Sequence, residues 1–185
     1  MIKILAFGAS SSSQSINKQL ATYTANRLEQ VEVNVIDLND LEMPIFNVDR
    51  EKENGIPDQA KNFSKLISES HGVVISLAEH NGSYTTAFKN VLDWSSRLEG
   101  KLWQHKPMFL LSSSPGKRGG ANVMGLALKY LPFMGADIQA HFSLPGFYEN
   151  FSNEEGIKDG ELKEAFEKQL ALFQVALSKK YVPAS

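Results

Sequence analysis

The chain has 185 residues, of which 42% are hydrophobic and 22% are charged, and this composition is typical of a globular protein and excludes a disordered or fibrous one. Its formal net charge of −2, from 19 basic and 21 acidic side chains, argues against nucleic acid as a partner, because such binding usually requires a basic excess. The chain contains no cysteine, which excludes disulfides, thiolate nucleophiles and cysteine-bound metals.

The first part of the chain alternates strand-like and helical patterns. Ile2–Phe7 is a near-continuous apolar segment, which predicts a strand buried on both faces of a parallel sheet. A helical pattern follows from Ser15 to Gln30, with Ser15 as a plausible N-cap, and Val31–Leu38 predicts a second strand. Residues 39–57 are rich in Asn, Asp, Glu and Gly and lack periodicity, which predicts a long surface connection.

The same alternation continues to the end of the chain. The remaining predicted strands cover Gly72–Leu77, Pro107–Leu111 and Asp137–Ala140. The remaining predicted helices cover Asp58–Ser70, Tyr84–Leu98 and Ala121–Met134, followed by a closing helix that carries Leu162, Phe166, Leu170, Phe173 and Leu177. Five strand–helix repeats of this kind predict a single α/β domain over residues 1–185 with a doubly wound parallel sheet.

Ligands of such sheets bind beyond the carboxyl ends of the strands, so the loops after strands one, three and four are candidate sites. The first loop, residues 8–17, holds five serines and leads directly into a helix, whose N-terminus attracts a phosphate. A serine-rich turn with one helix cap is the alternative interpretation. The loop lacks the Gly-Lys-Ser/Thr of a P-loop, and the G-x-G-x-x-G dinucleotide fingerprint is also absent.

Each of the other two loops is compatible both with ligand binding and with a purely structural role. In the second loop, the Asn81-Gly82 turn directs backbone N–H groups outward, as the edge of a flat heterocycle requires, although the loop also fits a helix start capped by Ser83. The third loop, residues 112–120, contains glycines that allow close backbone approach to a ligand and two cations, Lys117 and Arg118. By itself, this third segment is also compatible with a flexible loop.

Taken together, the loops resemble those of the NADPH-dependent FMN reductase family, a group of flavodoxin-like quinone, azo-dye and flavin reductases. The matching motifs are G-x-S-x-x-x-x-S-x-N over residues 8–17, E-x-N-G-S over 79–83, F-K-N-x-x-D-W over 88–94 and S-x-G-x-x-G-G over 114–120. The resemblance covers about residues 2–140 and rests on the order and spacing of all four motifs.

The resemblance implies a flavodoxin-like three-layer fold with five parallel strands in the order 2-1-3-4-5. It implies FMN as cofactor, with its phosphate held by Ser10, Ser12, Ser15, Ile16 and Asn17. The isoalloxazine edge is expected to pass along Glu79, His80, Asn81 and Gly82, with Ser114 and Gly116 near its pyrimidine end. Two features depart from the family pattern: serines replace an arginine or lysine of the first loop, and Ala-Glu-His replaces Pro-Glu-Tyr in the second.

The implied function is an oxidoreductase that passes a hydride from NADPH or NADH through FMN to a small acceptor, such as a quinone, an azo compound, a free flavin or a metal oxyanion. Lys117 and Arg118 are candidates for pairing with the 2′-phosphate of NADPH. The alternative is an electron carrier of the flavodoxin type, which has no substrate of its own. A homodimer or homotetramer is expected, since family members commonly pair through the helices after the second and third loops.

Metal ligation and membrane attachment are not expected. The four histidines lack the i, i+4 or carboxylate spacing of a metal site. Residues 2–7 are too short for a signal-peptide core, and no stretch approaches the about 20 apolar residues of a membrane span. We therefore expect a cytoplasmic protein.

Overall fold

A parallel β-sheet forms the centre of the molecule, for which the computed structural model describes residues 1–98 and 100–181. The strands are β1 (Ile2–Ala9), β2 (Val31–Val35), β3 (Gly72–Leu77), β4 (Pro107–Ser113) and β5 (Asp137–Leu144). They lie in the order β2-β1-β3-β4-β5, and every neighbouring pair is parallel. This arrangement confirms the predicted flavodoxin-like sheet. The predicted domain runs to residue 185, and residues 182–185 lie outside the described part.

Helices cover both faces of the sheet, so the protein has three layers. The helices are α1 (Ile16–Asn26), α2 (Val48–Asn54), α3 (Asp58–Glu69), α4 (Thr86–Ser95), α5 (Ala121–Tyr130), α6 (Phe147–Asn150) and α7 (Gly160–Tyr181). α1 and α7 pack on one face, whereas α3, α4 and α5 pack on the other. The strand order reverses direction between β1 and β3, and the loops that follow these two strands therefore diverge around a crevice.

Alternate residues of the central strands serve two separate hydrophobic cores. Phe7 of β1 faces the α3–α5 side, where its ring meets that of Phe63 edge-on at 5.6 Å between centroids. Phe109 of β4 faces the α1–α7 side and stacks on Phe166 at 6.1 Å. Because the strands are buried on both faces, they appear in the sequence as continuous apolar segments. Packing in the two cores also holds the carboxyl ends of the strands in position, where the loops of the site begin.

The element boundaries differ from the predicted ones mainly at the termini of helices and strands. α1 ends at Asn26 rather than at residue 30, and Gln30 instead adopts a positive φ of 57° in the turn before β2. α4 begins at Thr86 with Thr85 as its N-cap, so Ser83 does not cap it. β4 and β5 extend further than predicted, to Ser113 and Leu144.

Residues 39–57, predicted as a long surface connection, contain regular structure that the sequence did not indicate. A 3-10 helix, Leu38–Leu41, and the helix α2 occupy much of this segment. α2 contains no buried residue, so it has no apolar stripe from which a helix could be predicted. Side chains of α4 hold the segment in place: Trp94 Nε1 donates to the Pro44 carbonyl at 2.6 Å, and Asn90 Nδ2 donates to it at 3.1 Å.

Candidate functional site

Three loops meet at the carboxyl end of the sheet around a cleft of about 200 Å³. They follow β1, β3 and β4, which are the loops that the sequence singles out. The predicted residues that line the cleft are Ser10, Ser12, Ser15, Ile16, Asn17, Glu79, His80 and Ser114. Five further residues that were not predicted also line it, namely Gln14, Ala78, Ser113, Pro115 and Tyr148.

The first loop is organised by its own serine hydroxyls. Ser10 Oγ accepts from Ser12 N at 3.2 Å, and Ser12 Oγ accepts from Gln14 N at 3.3 Å. Ser15 is the N-cap of α1, and its Oγ accepts from Lys18 N at 3.1 Å. The N–H groups of Ile16 and Asn17 belong to the first turn, where no helical carbonyl reaches them. They are therefore available to an anion at the positive end of the helix dipole.

Gly8 brings this helix end close to the strand. A Cβ atom on Gly8 would lie 2.3 Å from Lys18 N and 2.7 Å from the carbonyl carbon of Asn17. Both are backbone atoms of the first turn of α1, so a larger residue would push the helix away from β1. Gly8, the first residue of the first motif, thus allows the N-terminus of α1 to pack closely against β1.

The side chain of Asn17 points into the protein rather than into the cleft. Only 2% of the residue is exposed. Its Nδ2 donates to the Ser113 carbonyl at 3.1 Å, and its Oδ1 accepts from Ser76 Oγ at 2.6 Å. Both ends of the side-chain amide are therefore bonded to β4 and β3. The backbone N–H is the group of Asn17 that remains available to an anion.

The cleft contains little positive charge. Among the described residues that line it, none is lysine or arginine, and Glu79 carries a carboxylate. Lys18 stands nearby on α1, but its ammonium pairs with Asp37, and this hydrogen bond lowers the pKa of the Asp37 carboxyl. An anion in the cleft would therefore rely on the helix dipole, backbone N–H groups and hydroxyls.

The second loop forms a tight turn at His80–Ser83. His80 N donates to the Ser83 carbonyl at 3.0 Å, and Ser83 N donates to the His80 carbonyl at 3.1 Å. Asn81 and Gly82 have φ values of 52° and 76°, as in a type I′ turn. Neither of them lines the cleft, but both occupy the exposed tip of the turn beside it, with their N–H groups outside the His80–Ser83 pair.

Glu79 joins the second loop to the third. Its Oε2 accepts from Val123 N at 3.0 Å, and its Oε1 accepts from Asn122 Nδ2 at 3.2 Å. The N-cap position of α5 is Gly120, which has no side chain to cap the helix. A carboxylate from a distant loop therefore caps α5, with favourable charge for a helix N-terminus.

The third loop is held by the segment after β5. Gly146 N donates to the Gly116 carbonyl at 3.0 Å, and Phe147 N donates to the Ser114 carbonyl at 3.1 Å. These bonds place α6, and with it the 69%-exposed Tyr148, at the mouth of the cleft. Tyr148 lies beyond the four recognised motifs, and no local sequence pattern identifies it. Gln14 lies within the first motif, but at one of its variable positions.

Three predicted residues of the third loop lie outside the cleft wall. Gly116 is exposed and contributes its carbonyl to the contacts with Gly146. Lys117 and Arg118 are exposed on the same loop and form no ion pair with the residues that the structure describes. Their cations are thus positioned near the cleft but not within it.

A second cleft, of about 370 Å³, borders the other side of the first loop. Ser11 lines it, together with the 38–45 segment and the beginning of α4. Its lining is divided equally between polar and apolar residues. The apolar ones are Leu38, Leu41, Met43, Ile45 and Ala87, and the polar ones are Ser11, Asn39, Glu42, Thr86 and Asn90. The first loop therefore lies between two clefts, of which the second has the larger share of apolar lining residues.

Residues 1–98 and 100–181 contain neither a cluster of metal ligands nor a helix that could span a membrane. Within them, no group of three or more His, Asp or Glu side chains is arranged to hold a metal ion. No helix in the same part of the chain combines the length and the apolar character that crossing a membrane requires.

The sheet order and the hydroxyl-lined cleft at the N-terminus of α1 define a flavodoxin-like α/β protein. The chain belongs to the NADPH-dependent FMN reductase family, whose model matches residues 2–148. The match confirms the resemblance that the four loop motifs indicate.

Individual relatives are similar to only part of this chain. The quinone reductase of Escherichia coli K12 is 33% identical over 95 residues, which are 51% of this chain and 50% of the relative. The chain therefore spans about half the length of that relative. The NADPH azoreductase of Bacillus sp. OY1-2 is 28% identical over 132 residues, which cover 71% of this chain and 64% of the relative.

Solved structures share the fold. The flavoenzyme NAD(P)H:(acceptor) oxidoreductase from Paracoccus denitrificans superposes with a TM-score of 0.76 at 22% identity. The superposition covers 97% of this chain and 98% of that one. An NADH:FMN oxidoreductase in its apo form gives a TM-score of 0.69 at 18% identity, with 96% and 91% covered.

Proposed function

We propose that the protein is an FMN-dependent NAD(P)H oxidoreductase that reduces a small acceptor of the quinone or azo class. The observation that carries this proposal is the convergence of all three motif-bearing loops on one cleft at the carboxyl end of the sheet. Family membership supports it, and so do the names of the relatives, which are quinone reductases and an azoreductase.

The residues of the cleft fit FMN. The N–H groups of Ile16 and Asn17, with the hydroxyls of Ser10 and Ser12, would hold its phosphate. The exposed N–H groups of the Asn81-Gly82 turn would face the edge of the flavin ring, where negative charge develops on reduction. Tyr148 would cover the mouth of the cleft and reduce the access of water.

FMN held in this cleft would supply the redox chemistry between a reduced nicotinamide and an acceptor. The chain itself supplies position and dipoles. Glu79 fixes the spacing between the second and third loops through its bonds to Val123 and Asn122. Asn17 fixes the height of α1 against β3 and β4 through Ser76 and Ser113. These bonds together keep the shape of the cleft.

The second cleft, which combines apolar walls with one carboxylate, favours a neutral acceptor over a metal oxyanion. Its walls include Leu41, Met43 and Ile45, and Glu42 adds a negative charge that repels anions. On this proposal, Glu42→Gln leaves quinone turnover within about twofold but raises turnover of an oxyanion such as chromate. Equal effects on both acceptors would argue against this cleft as the route of entry.

Lys117 and Arg118 are proposed to favour NADPH over NADH. Both are exposed cations on the loop that borders the cleft. Replacing either by alanine should raise the KM for NADPH about fivefold, since an exposed ion pair contributes about 1 kcal/mol. The KM for NADH should not change, and an equal rise for both would refute this role.

The visible spectrum of the protein tests the proposed function. Purified protein is mixed with FMN, desalted and then treated with NADPH in the absence of oxygen. Retained yellow flavin that bleaches on addition of NADPH is the expected result. Retained flavin that stays oxidised would instead favour an electron carrier of the flavodoxin type, and loss of flavin on desalting would contradict tight FMN binding.

A homodimer or homotetramer remains part of the proposal. Tyr130 at the end of α5 and Phe133 just beyond it are 48% and 70% exposed, which is unusual for large apolar side chains. Sedimentation of the wild type against Phe133→Ser measures whether this surface is covered by a second copy; a monomeric wild type would refute the assembly.

A further inference from the structure

One wall of the second cleft belongs to residues 42–46, a segment that lies between the 3-10 helix and α2 and is part of no helix or strand. In the part of the chain that the structure describes, no backbone group bonds to the carbonyls of Met43 and Pro44 or to the N–H of Phe46. The position of this wall therefore depends on side-chain partners rather than on regular structure.

Asn90 of α4 supplies these partners. Its Nδ2 donates to the carbonyls of Met43 at 3.2 Å and Pro44 at 3.1 Å, and its Oδ1 accepts from Phe46 N at 2.8 Å. Trp94, one turn later, donates to the same Pro44 carbonyl, and its ring meets that of Phe46 edge-on at 5.0 Å between centroids. A side-chain amide combines donors with an acceptor, so a single residue can bond to carbonyls and to an N–H group at once.

The bonds of Asn90 span the cleft. Asn90 lines it from α4 together with Thr86 and Ala87, whereas Met43 and Ile45 line it from the opposite segment. Met43 is only 9% exposed and belongs to the hydrophobic core on this face of the sheet, but Ile45 is 66% exposed and does not. Because Asn90 bonds to both chain neighbours of Ile45, these bonds set the distance of Ile45 from α4.

The distance between two walls matters for a flat acceptor, which contacts both of them only at one spacing. A misplacement of about 1 Å can cost about 10²-fold in rate. We propose that Asn90 is a positioning residue that sets the width of the second cleft and thereby the fit of a quinone acceptor. The inference rests on the proposed function, from which it takes the class of acceptor.

Steady-state kinetics of two variants test the inference, with 2-methyl-1,4-naphthoquinone as the acceptor. Asn90→Leu removes both the donors and the acceptor at similar volume, and Asn90→Asp keeps an acceptor for Phe46 N but loses the donors. Lys89→Leu is the matched control, because Lys89 is the adjacent residue of α4 and its ammonium bonds to Asp93 rather than to the segment. Asn90 holds a surface segment rather than the sheet, so both variants are expected to fold, which circular dichroism checks.

Both Asn90 variants are expected to raise the KM for the quinone about tenfold and to leave kcat within about twofold, because they weaken acceptor binding alone. Ferricyanide is the comparison acceptor, since Glu42 disfavours entry of an anion into the cleft. Its turnover at saturating NADPH should stay within about twofold in both variants. The control should change neither activity.

Several results would overturn the inference and leave the proposed function intact. One is a KM for the quinone that stays near the wild-type value in either folded Asn90 variant. Another is an equal loss of activity with ferricyanide, which would indicate that Asn90 acts on the flavin site as a whole. Wild-type protein whose flavin is not bleached by NADPH would instead overturn the proposed function, and the inference with it.

Discussion

Replacing Asn17 by alanine separates a structural role of this residue from a ligand-binding one. In the structure, the amide side chain links α1 to β3 through Ser76 and to β4 through Ser113. The change removes two buried hydrogen bonds, each with a net contribution of about 0.5–1.5 kcal/mol, and leaves the Ser113 carbonyl without this donor. We expect a loss of about 2–4 kcal/mol in the free energy of unfolding.

Urea unfolding followed by tryptophan fluorescence measures this loss, since Trp94 and Trp103 are buried and their emission changes on exposure. The slope of the transition should not change, which indicates that the variant exposes the same surface on unfolding. Asn26→Ala, at the exposed end of α1, is the control and should shift the free energy by less than about 0.5 kcal/mol.

Flavin titration of the folded Asn17→Ala protein completes the test. Alanine keeps the backbone N–H, so the Kd of FMN should rise by less than about fivefold, equivalent to about 1 kcal/mol. The reasoning would be refuted by the opposite pattern, in which stability falls by less than about 1 kcal/mol while FMN binding weakens by well over tenfold. That result would place the side-chain amide on the phosphate.

Four further substitutions test packing, loop positioning and electrostatics. Gly8→Ala should destabilise by about 1–3 kcal/mol in urea unfolding, because its Cβ would lie 2.3 Å from a backbone nitrogen of α1. The same change at Gly125, a helical glycine with no atom within 4 Å of a Cβ, should instead stabilise by up to about 1 kcal/mol. Glu79→Gln should lower the free energy of unfolding by about 0.5–2 kcal/mol, because it weakens the cap of α5. It should also shift the absorption band of bound flavin, because the second and third loops move apart. An unchanged band would contradict the positioning role of Glu79. Burial and nearby cations lower the pKa of His71, whose Nδ1 accepts from Lys3 N at 3.0 Å. The imidazole of His71 is therefore protonated more readily in the unfolded chain than in the folded one. The free energy of unfolding should fall as the pH drops below about 6.5. In His71→Gln, the urea midpoint should change less with pH between pH 7.5 and 5.5 than in the wild type. An equal change in both proteins would refute this role of His71.

The sequence by itself determined the succession of strands and helices along the chain and the three loops that line the candidate cleft. Strands such as Gly72–Leu77 are buried on both faces, so their apolar character is visible along the chain. The helices that pack on the sheet carry an apolar stripe for the same reason. α2 escaped prediction because it lies entirely on the surface, where no core imposes a period.

Only the tertiary structure decided what the individual side chains of the site do. The resemblance implies Asn17 as a phosphate ligand and Glu79 as a residue of the flavin edge, but the fold engages their side chains elsewhere. Asn17 bonds to a residue 96 positions away, and Glu79 caps a helix that begins more than 40 positions later. Tyr148 reaches the cleft because the segment after β5 binds the third loop. Such contacts join residues that are distant in sequence, so local propensity and periodicity carry no information about them, whereas the folded sheet places them within hydrogen-bonding distance.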